Sequence, residues 1–197
     1  MEIVCLDLEG VLIPEMWLEV AERTGIEALQ LTTRDVADYD ELMTHRIRVL
    51  AEHGISLAAL QSVTATVAPL PGAVGFLTQL RARYQVAILS DTFVQFVSTV
   101  MEQLGFPFLL CNSLEVDDDG MISGYRMRQQ NGKEQAVRLF KQMNTTVFAA
   151  GDSFNDVSML RAADKSVLFR PSDTVRQAHP DLPVAFDYDT LSAMLSP

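Results

Sequence analysis

The stretch Ile3–Val11, which reads IVCLDLEGV, constrains this chain more than any other. Ile3–Leu6 has the length and composition of a strand covered on both faces. Two acids two residues apart, Asp7 and Glu9, follow it, and then Gly10. A carboxylate at the end of a buried strand is costly unless a cation or a hydrogen-bond donor meets it. The carboxyl end of a central parallel strand is also where open α/β sheets bind ligands. Asp7 therefore reads as a carboxylate delivered to a crevice. The bland alternative is a strand-end Asp that caps a turn.

The rest of the chain must supply that strand with neighbours. Short apolar runs that read as strands recur at Gln85–Leu89, Phe108–Cys111, Thr146–Ala150, Ser166–Phe169 and Val184–Phe186. Helical patterns separate them over Gly72–Arg83, Phe93–Leu104, Gly132–Met143, Val157–Ala163 and Ser172–Ala178, and Tyr188–Leu195 closes the chain. Leu114–Tyr125, with DDDG at Asp117–Gly120, reads as a hairpin. Strands alternating with helices predict an α/β fold with a doubly wound, Rossmann-like parallel sheet. Between the first two strands the pattern is purely helical. Glu15–Arg23, Tyr39–His53 and Leu57–Val67 are the predicted helices, and Glu27–Asp40 is a polar connection with little regular structure. Pro69-Leu70-Pro71-Gly72 punctuates the end of this insert. The expected division is an α/β core, 1–13 and 71–197, with a small all-helical cap, 14–70.

Charge narrows the function classes. The 197 residues carry a net charge of −11, which argues against a nucleic-acid or anionic-membrane partner. A phosphate-bearing substrate would have to be met by local cations or a metal. The two cysteines, Cys5 and Cys111, fall inside predicted strands and read as core residues. The start lacks a basic n-region, and no uninterrupted apolar stretch spans a bilayer, so a reducing, cytoplasmic location is expected.

Three predicted strands end in polar groups: Asp7 and Glu9, then Ser90, then Asp152 and Asp156. Lys133 opens the helix before the fourth strand. A parallel sheet puts all these strand ends on one edge. Four clustered carboxylates repel one another, and a hard divalent cation with oxygen ligands resolves that. Octahedral Mg²⁺ fits best, and with a lysine and a hydroxyl beside it the natural guest is a phosphoryl group. The competing residues have blander readings. Lys141 lies on the same helix as Lys133 and reads as a surface charge. Asp156 could cap the helix that follows it. Asp117–Asp119 is too short a loop for Ca²⁺ and lacks a bidentate Glu. His45, His53 and His179 show no metal-ligand spacing.

Taken in order, DLEGV (Asp7–Val11), LSDT (Leu89–Thr92), Lys133 and GDSFND (Gly151–Asp156) resemble the four motifs of the haloacid dehalogenase (HAD) superfamily. The helical insert resembles the cap of its phosphoserine phosphatase group. DLEGVLIPE, with Glu where most members carry Asp, is similar to the ThrH-type phosphoserine phosphatase/homoserine phosphotransferases.

The resemblance implies a Mg²⁺-dependent phosphatase acting on phosphoserine, with homoserine as a second acceptor. Asp7 would be the nucleophile that forms an aspartyl-phosphate, and Glu9 the general acid and base. Asp7, Asp152 and the Glu9 carbonyl would ligate the metal, with Asp156 in support. Ser90, Lys133, Asn155 and the Asp91 backbone would hold the phosphoryl oxygens. Glu15 would grip the substrate ammonium and Arg46 its carboxylate, with Arg48 a competitor on another face of the same helix. The cap helices offer a surface for a homodimer. Alternatives are another small phosphomonoesterase or phosphomutase on the same scaffold, or a receiver-like signalling module. A receiver, however, lacks the insert and the second acid.

Overall fold

The computed structural model describes residues 1–32, 36 and 38–195. In chain order its elements are β1 (Glu2–Leu6), α1 (Met16–Thr24), a 3-10 turn (Glu27–Gln30), α2 (Tyr39–Glu52) and α3 (Leu57–Thr64). Then come α4 (Ala73–Arg81), β2 (Gln85–Phe93), α5 (Val94–Gln103), β3 (Phe108–Val116), β4 (Ile122–Arg126) and α6 (Gly132–Gln142). The chain ends through β5 (Thr146–Gly151), a 3-10 turn (Phe154–Asp156), α7 (Val157–Ala162), β6 (Lys165–Phe169), α8 (Asp173–Ala178), β7 (Val184–Ala185) and α9 (Tyr188–Met194).

The strands form one sheet in the order β4-β3-β2-β1-β5-β6-β7. Every pairing is parallel except that of β3 with β4. The first strand is thus central, with Cys5 opposite Ala87 on one side and Ala149 on the other. Its side chains alternate between two cores. Val4 and Leu6 join Ile88, Phe148 and Ala150 on one face. Ile3 and Cys5 join Ala87, Val147 and Ala149 on the other. Burial on both faces is why this strand reads as an unbroken apolar run. From β1 the chain builds outward to β4, returns to β5 beside β1, and builds outward the other way. The strand order therefore reverses at β1, which opens a crevice at its carboxyl end.

The insert helices α1 and α2 lie over this edge, with α3 packed beside α1, whereas α4 packs against β2 and α9. Trp17 of α1 packs edge-on to Phe96 of α5, with ring centroids 4.8 Å apart. Leu57, at the start of α3, donates its amide to the Gly120 carbonyl at 2.9 Å, in the β3–β4 turn. Leu70 donates to the Leu12 carbonyl at 2.9 Å, closing the insert where it began. Asp38 caps α2, accepting from the amides of Asp40 and Glu41.

Three boundaries differ from the sequence reading by three residues or more, the others by one or two. β2 runs on through Ser90–Phe93, because pairing with β3 resumes at Phe93↔Asn112 after a register shift. β3 runs on to Val116, because its second half pairs antiparallel with β4. α3 stops at Thr64, three residues before the expected end. Of the expected connection Glu27–Asp40, residues 33–35 and 37 lie outside the described residues. No helix among the described residues is long and apolar enough to cross a membrane.

Candidate active site

Asp7 leaves the end of β1 pinned, its amide donating to the Ala150 carbonyl of β5 at 2.9 Å. Its carboxylate is buried. Oδ1 accepts from the Leu8 amide at 2.7 Å and lies 3.0 Å from Lys133 Nζ. Lys133 arrives from the first turn of α6 and is only 5% exposed. It donates to Asp156 Oδ1 at 2.7 Å and sits 3.7 Å from Asp91 Oδ2. Asp156, fully buried, uses its other oxygen to accept from the amides of Asp152 and Ser153. It therefore folds the loop after β5 onto itself rather than capping α7. Lys141, by contrast, pairs with Asp164 away from this cluster.

Oxygens of Asp7, Asp152 and Asp156 lie within 4.8 Å of one another. Three carboxylates against one ammonium leave two uncompensated negative charges. The electrostatics reflect it. Burial, then Asp156, pushes the Asp7 carboxyl well above its ordinary value. Burial, then Asp156 and Glu15, pushes Asp152 up to about 7. Burial alone would lower Lys133, but Asp156, Asp7 and Asp91 hold it well above its ordinary value. Asp152 Oδ1 is buried without a hydrogen-bond partner. An orphaned anionic oxygen beside two other carboxylates is what a hard divalent cation requires. The donor set fits such an ion.

Gly10 makes this packing feasible. Its φ of 76° is left-handed, and a Cβ there would lie 2.5 Å from Asp152 Cγ. Glu9 precedes it, its Oε2 accepting from the Met16 amide at the start of α1 at 3.0 Å. Burial, then the neighbouring Glu15, pushes Glu9 up to about 7.

A cavity of about 180 Å³ opens over Asp7. Its floor carries Asp7, Glu9, Ser90 and Lys133, and its roof carries Glu15 and Arg46 from the insert. Arg46 is 6% exposed, with its Cζ 4.5 Å from the centroid of the Trp17 ring. Burial pulls it down to about 10. Nη2 donates to the Leu31 carbonyl at 2.8 Å, while Nε is buried with no partner. Arg48 points elsewhere, its side chain 65% exposed. Asn155 lines the same cavity and donates from Nδ2 to Asp91 Oδ2 at 3.0 Å. Apart from the competitors Arg48 and Lys141, the residues given a site role from the sequence border this cavity or the acid cluster beneath it.

Sequence reasoning missed Trp17, Tyr39 and Thr92 as cavity walls. Tyr39 stands seven residues before Arg46, two helical turns along α2, which places both on one face. That spacing was the available signal. Trp17 had none, because its stacking on Arg46 joins two helices.

The model of the haloacid dehalogenase-like hydrolases matches residues 1–164. The chain is 52% identical to phosphoserine phosphatase ThrH of Pseudomonas aeruginosa over 97% of its own length and 93% of that protein's. It is 50% identical to a phosphoserine phosphatase of Pseudomonas syringae pv. tomato over 96% and 80% of the two chains. A crystal structure of a phosphoserine phosphatase in apo form, 20% identical, superposes with a TM-score of 0.80 over 98% of each chain. With its strand order, its acid cluster and these likenesses together, the chain belongs to the haloacid dehalogenase-like hydrolases.

Proposed function

We propose that the chain is a Mg²⁺-dependent phosphoserine phosphatase working through a phosphorylated Asp7, with segment 14–70 as its cap. One observation carries this reading. A carboxylate cluster with a single buried lysine faces, across a small cavity, a buried arginine whose Nε lacks a partner. The first pole suits a phosphoryl group and a metal, and the second suits a carboxylate. Glu15, on the same roof, suits an ammonium. The names borne by the two Pseudomonas relatives support the same substrate.

Asp7, Asp152 and the Glu9 carbonyl would hold the ion, with Asp156 bracing the loop. When bound, Mg²⁺ supplies positive charge that lets the carboxylates and the phosphoryl oxygens share one site. Asp7 Oδ1 is engaged by Leu8 and Lys133, which leaves Oδ2 to attack phosphorus. As the Asp7–phosphorus bond forms, the bond from phosphorus to the seryl oxygen breaks. Glu9 gives its proton to that oxygen. Water then attacks phosphorus, Glu9 takes its proton, and Asp7 leaves as a free carboxylate. Lys133, Ser90 and Asn155 hold the phosphoryl oxygens, and the cap excludes bulk water meanwhile.

Phosphate release from phosphoserine is the test. Release is expected with Mg²⁺ and is expected to vanish with EDTA and in Asp7→Asn. Turnover in EDTA would remove the metal from the reading, and turnover by Asp7→Asn would remove the nucleophile.

Transfer to homoserine is the finer proposal, favoured by the reach of Glu9. The longer arm lets its carboxyl accept from the Met16 amide. That tether shifts the base relative to an Asp and slows water, so a bound alcohol competes. Labelled phosphate should partition toward phosphohomoserine in the wild type and toward inorganic phosphate in Glu9→Asp. An unchanged partition would end this idea.

A further inference from the structure

Two donors converge on one backbone oxygen at the rim of the cavity. The Asp91 carbonyl accepts from Asn112 Nδ2 at 3.0 Å and from the Tyr39 hydroxyl at 3.3 Å. Asn112 belongs to β3, is 6% exposed, and accepts on Oδ1 from the Arg128 amide ahead of α6. Tyr39 begins α2 in the helical insert. At its other end, Asp91 meets two groups assigned above to the phosphoryl oxygens. Its Oδ2 accepts from Asn155 Nδ2 and lies 3.7 Å from Lys133 Nζ.

This stretch needs such bracing. Leu89 pairs with Leu110 and Phe93 with Asn112, and the register shift between them leaves Ser90–Thr92 without a ladder partner on β3. Side-chain donors must fix what the ladder does not. Tyr39 is itself fixed. Its ring meets the Tyr125 ring edge-on, with centroids 5.9 Å apart, and the Tyr125 hydroxyl donates to the neighbouring Asp40.

We propose that Tyr39 is a positioning residue whose hydroxyl, sharing the Asp91 carbonyl with Asn112, ties the placement of α2 to that of Ser90, Lys133 and Asn155. Substrate bound under the insert then meets phosphoryl-holding groups that are already aligned. The inference rests on the phosphoryl-transfer reading above for its kinetic consequence, though not for its geometry.

Tyr39→Phe removes only the hydroxyl and keeps the ring against Tyr125. A net hydrogen bond of this kind is worth roughly 0.5–1.5 kcal/mol, or about two- to twelvefold in a rate. With phosphoserine, kcat should fall about fivefold while KM stays within about twofold. Asn112→Ala should lower kcat likewise, and the double variant should lose less than the product of the two single losses. A lowered melting temperature with kcat unmoved would reduce Tyr39 to a structural residue. Losses that simply multiply would refute the shared carbonyl. If Asn112→Ala does not fold, the Tyr39→Phe split between kcat and KM decides alone. A wild type that leaves phosphoserine intact would overturn the proposed function instead. Amide exchange in the peptide Leu89–Phe93, which needs no substrate, would then decide. It should quicken several-fold in Tyr39→Phe, and unchanged exchange would overturn the proposal.

Discussion

Glu9 and Gly10 each invite a substitution with a definite outcome. If Glu9 moves the proton, Glu9→Gln should lower kcat by about 10²–10⁴ with little change in KM, read by steady-state phosphate release. The amide still accepts from Met16, so the fold is spared. Gly10→Ala should act through geometry. Its Cβ would land on the Asp152 carboxyl, and its left-handed φ adds strain. A loss of about 1–3 kcal/mol in urea unfolding is expected, with at least a tenfold fall in turnover. Glu9 was legible in the sequence because a charge so soon after a buried strand is chemistry that a core rejects, whereas the need for glycine at position 10 shows only where the fold brings Asp152 against it. Tyr39 and Asn112 were not legible. A tyrosine at the start of a helix and an asparagine in a strand are ordinary, and only the folded chain brings both to the Asp91 carbonyl.

Element boundaries were legible where apolar runs end cleanly, as at β1 and β5. They failed where pairing changes character. The polar Ser90–Thr92 looks like a strand end, yet the ladder resumes beyond it, which no local pattern announces. Likewise Cys111 looked terminal because β3 changes partner along its length, from β2 to β4. Another junction offers a pH test. Asp164, just before β6, accepts from the Val147 amide of β5 at 2.8 Å and from Lys141 of α6 at 2.7 Å. The Lys141 hydrogen bond, then the Val147 amide, holds its carboxyl below the ordinary value. A carboxyl lowered on folding stabilises above its unfolded value of about 3.9, and that gain is lost as pH falls through the folded one. Asp164→Asn should therefore melt a few degrees below wild type at pH 7. The gap should close as the pH is taken below about 3.9, which paired melting curves would show.

At the scale of the whole molecule, the net charge of −11 sets the approach of any phosphate ester. A doubly charged anion is repelled until it reaches Arg46 and Lys133. Salt screens the long-range repulsion more than the buried contacts. Raising ionic strength from about 10 to 150 mM should therefore increase kcat/KM for phosphoserine severalfold, an effect stopped-flow or initial-rate assays can measure. A decrease would mean that the local cations steer from further out.

The central place of β1 has a consequence for synthesis. The strand leaves the ribosome ahead of both its neighbours, so Ile3 waits for Gln85 on one flank and Val147 on the other. At about 5–20 residues per second, the second flank arrives roughly seven to thirty seconds after the strand itself. Throughout that interval a sticky, half-dressed ribbon protrudes from the nascent polypeptide. Chaperone occupancy during translation should accordingly peak on chains halted between the emergence of β2 and that of β5, and fall once the second neighbour has threaded out.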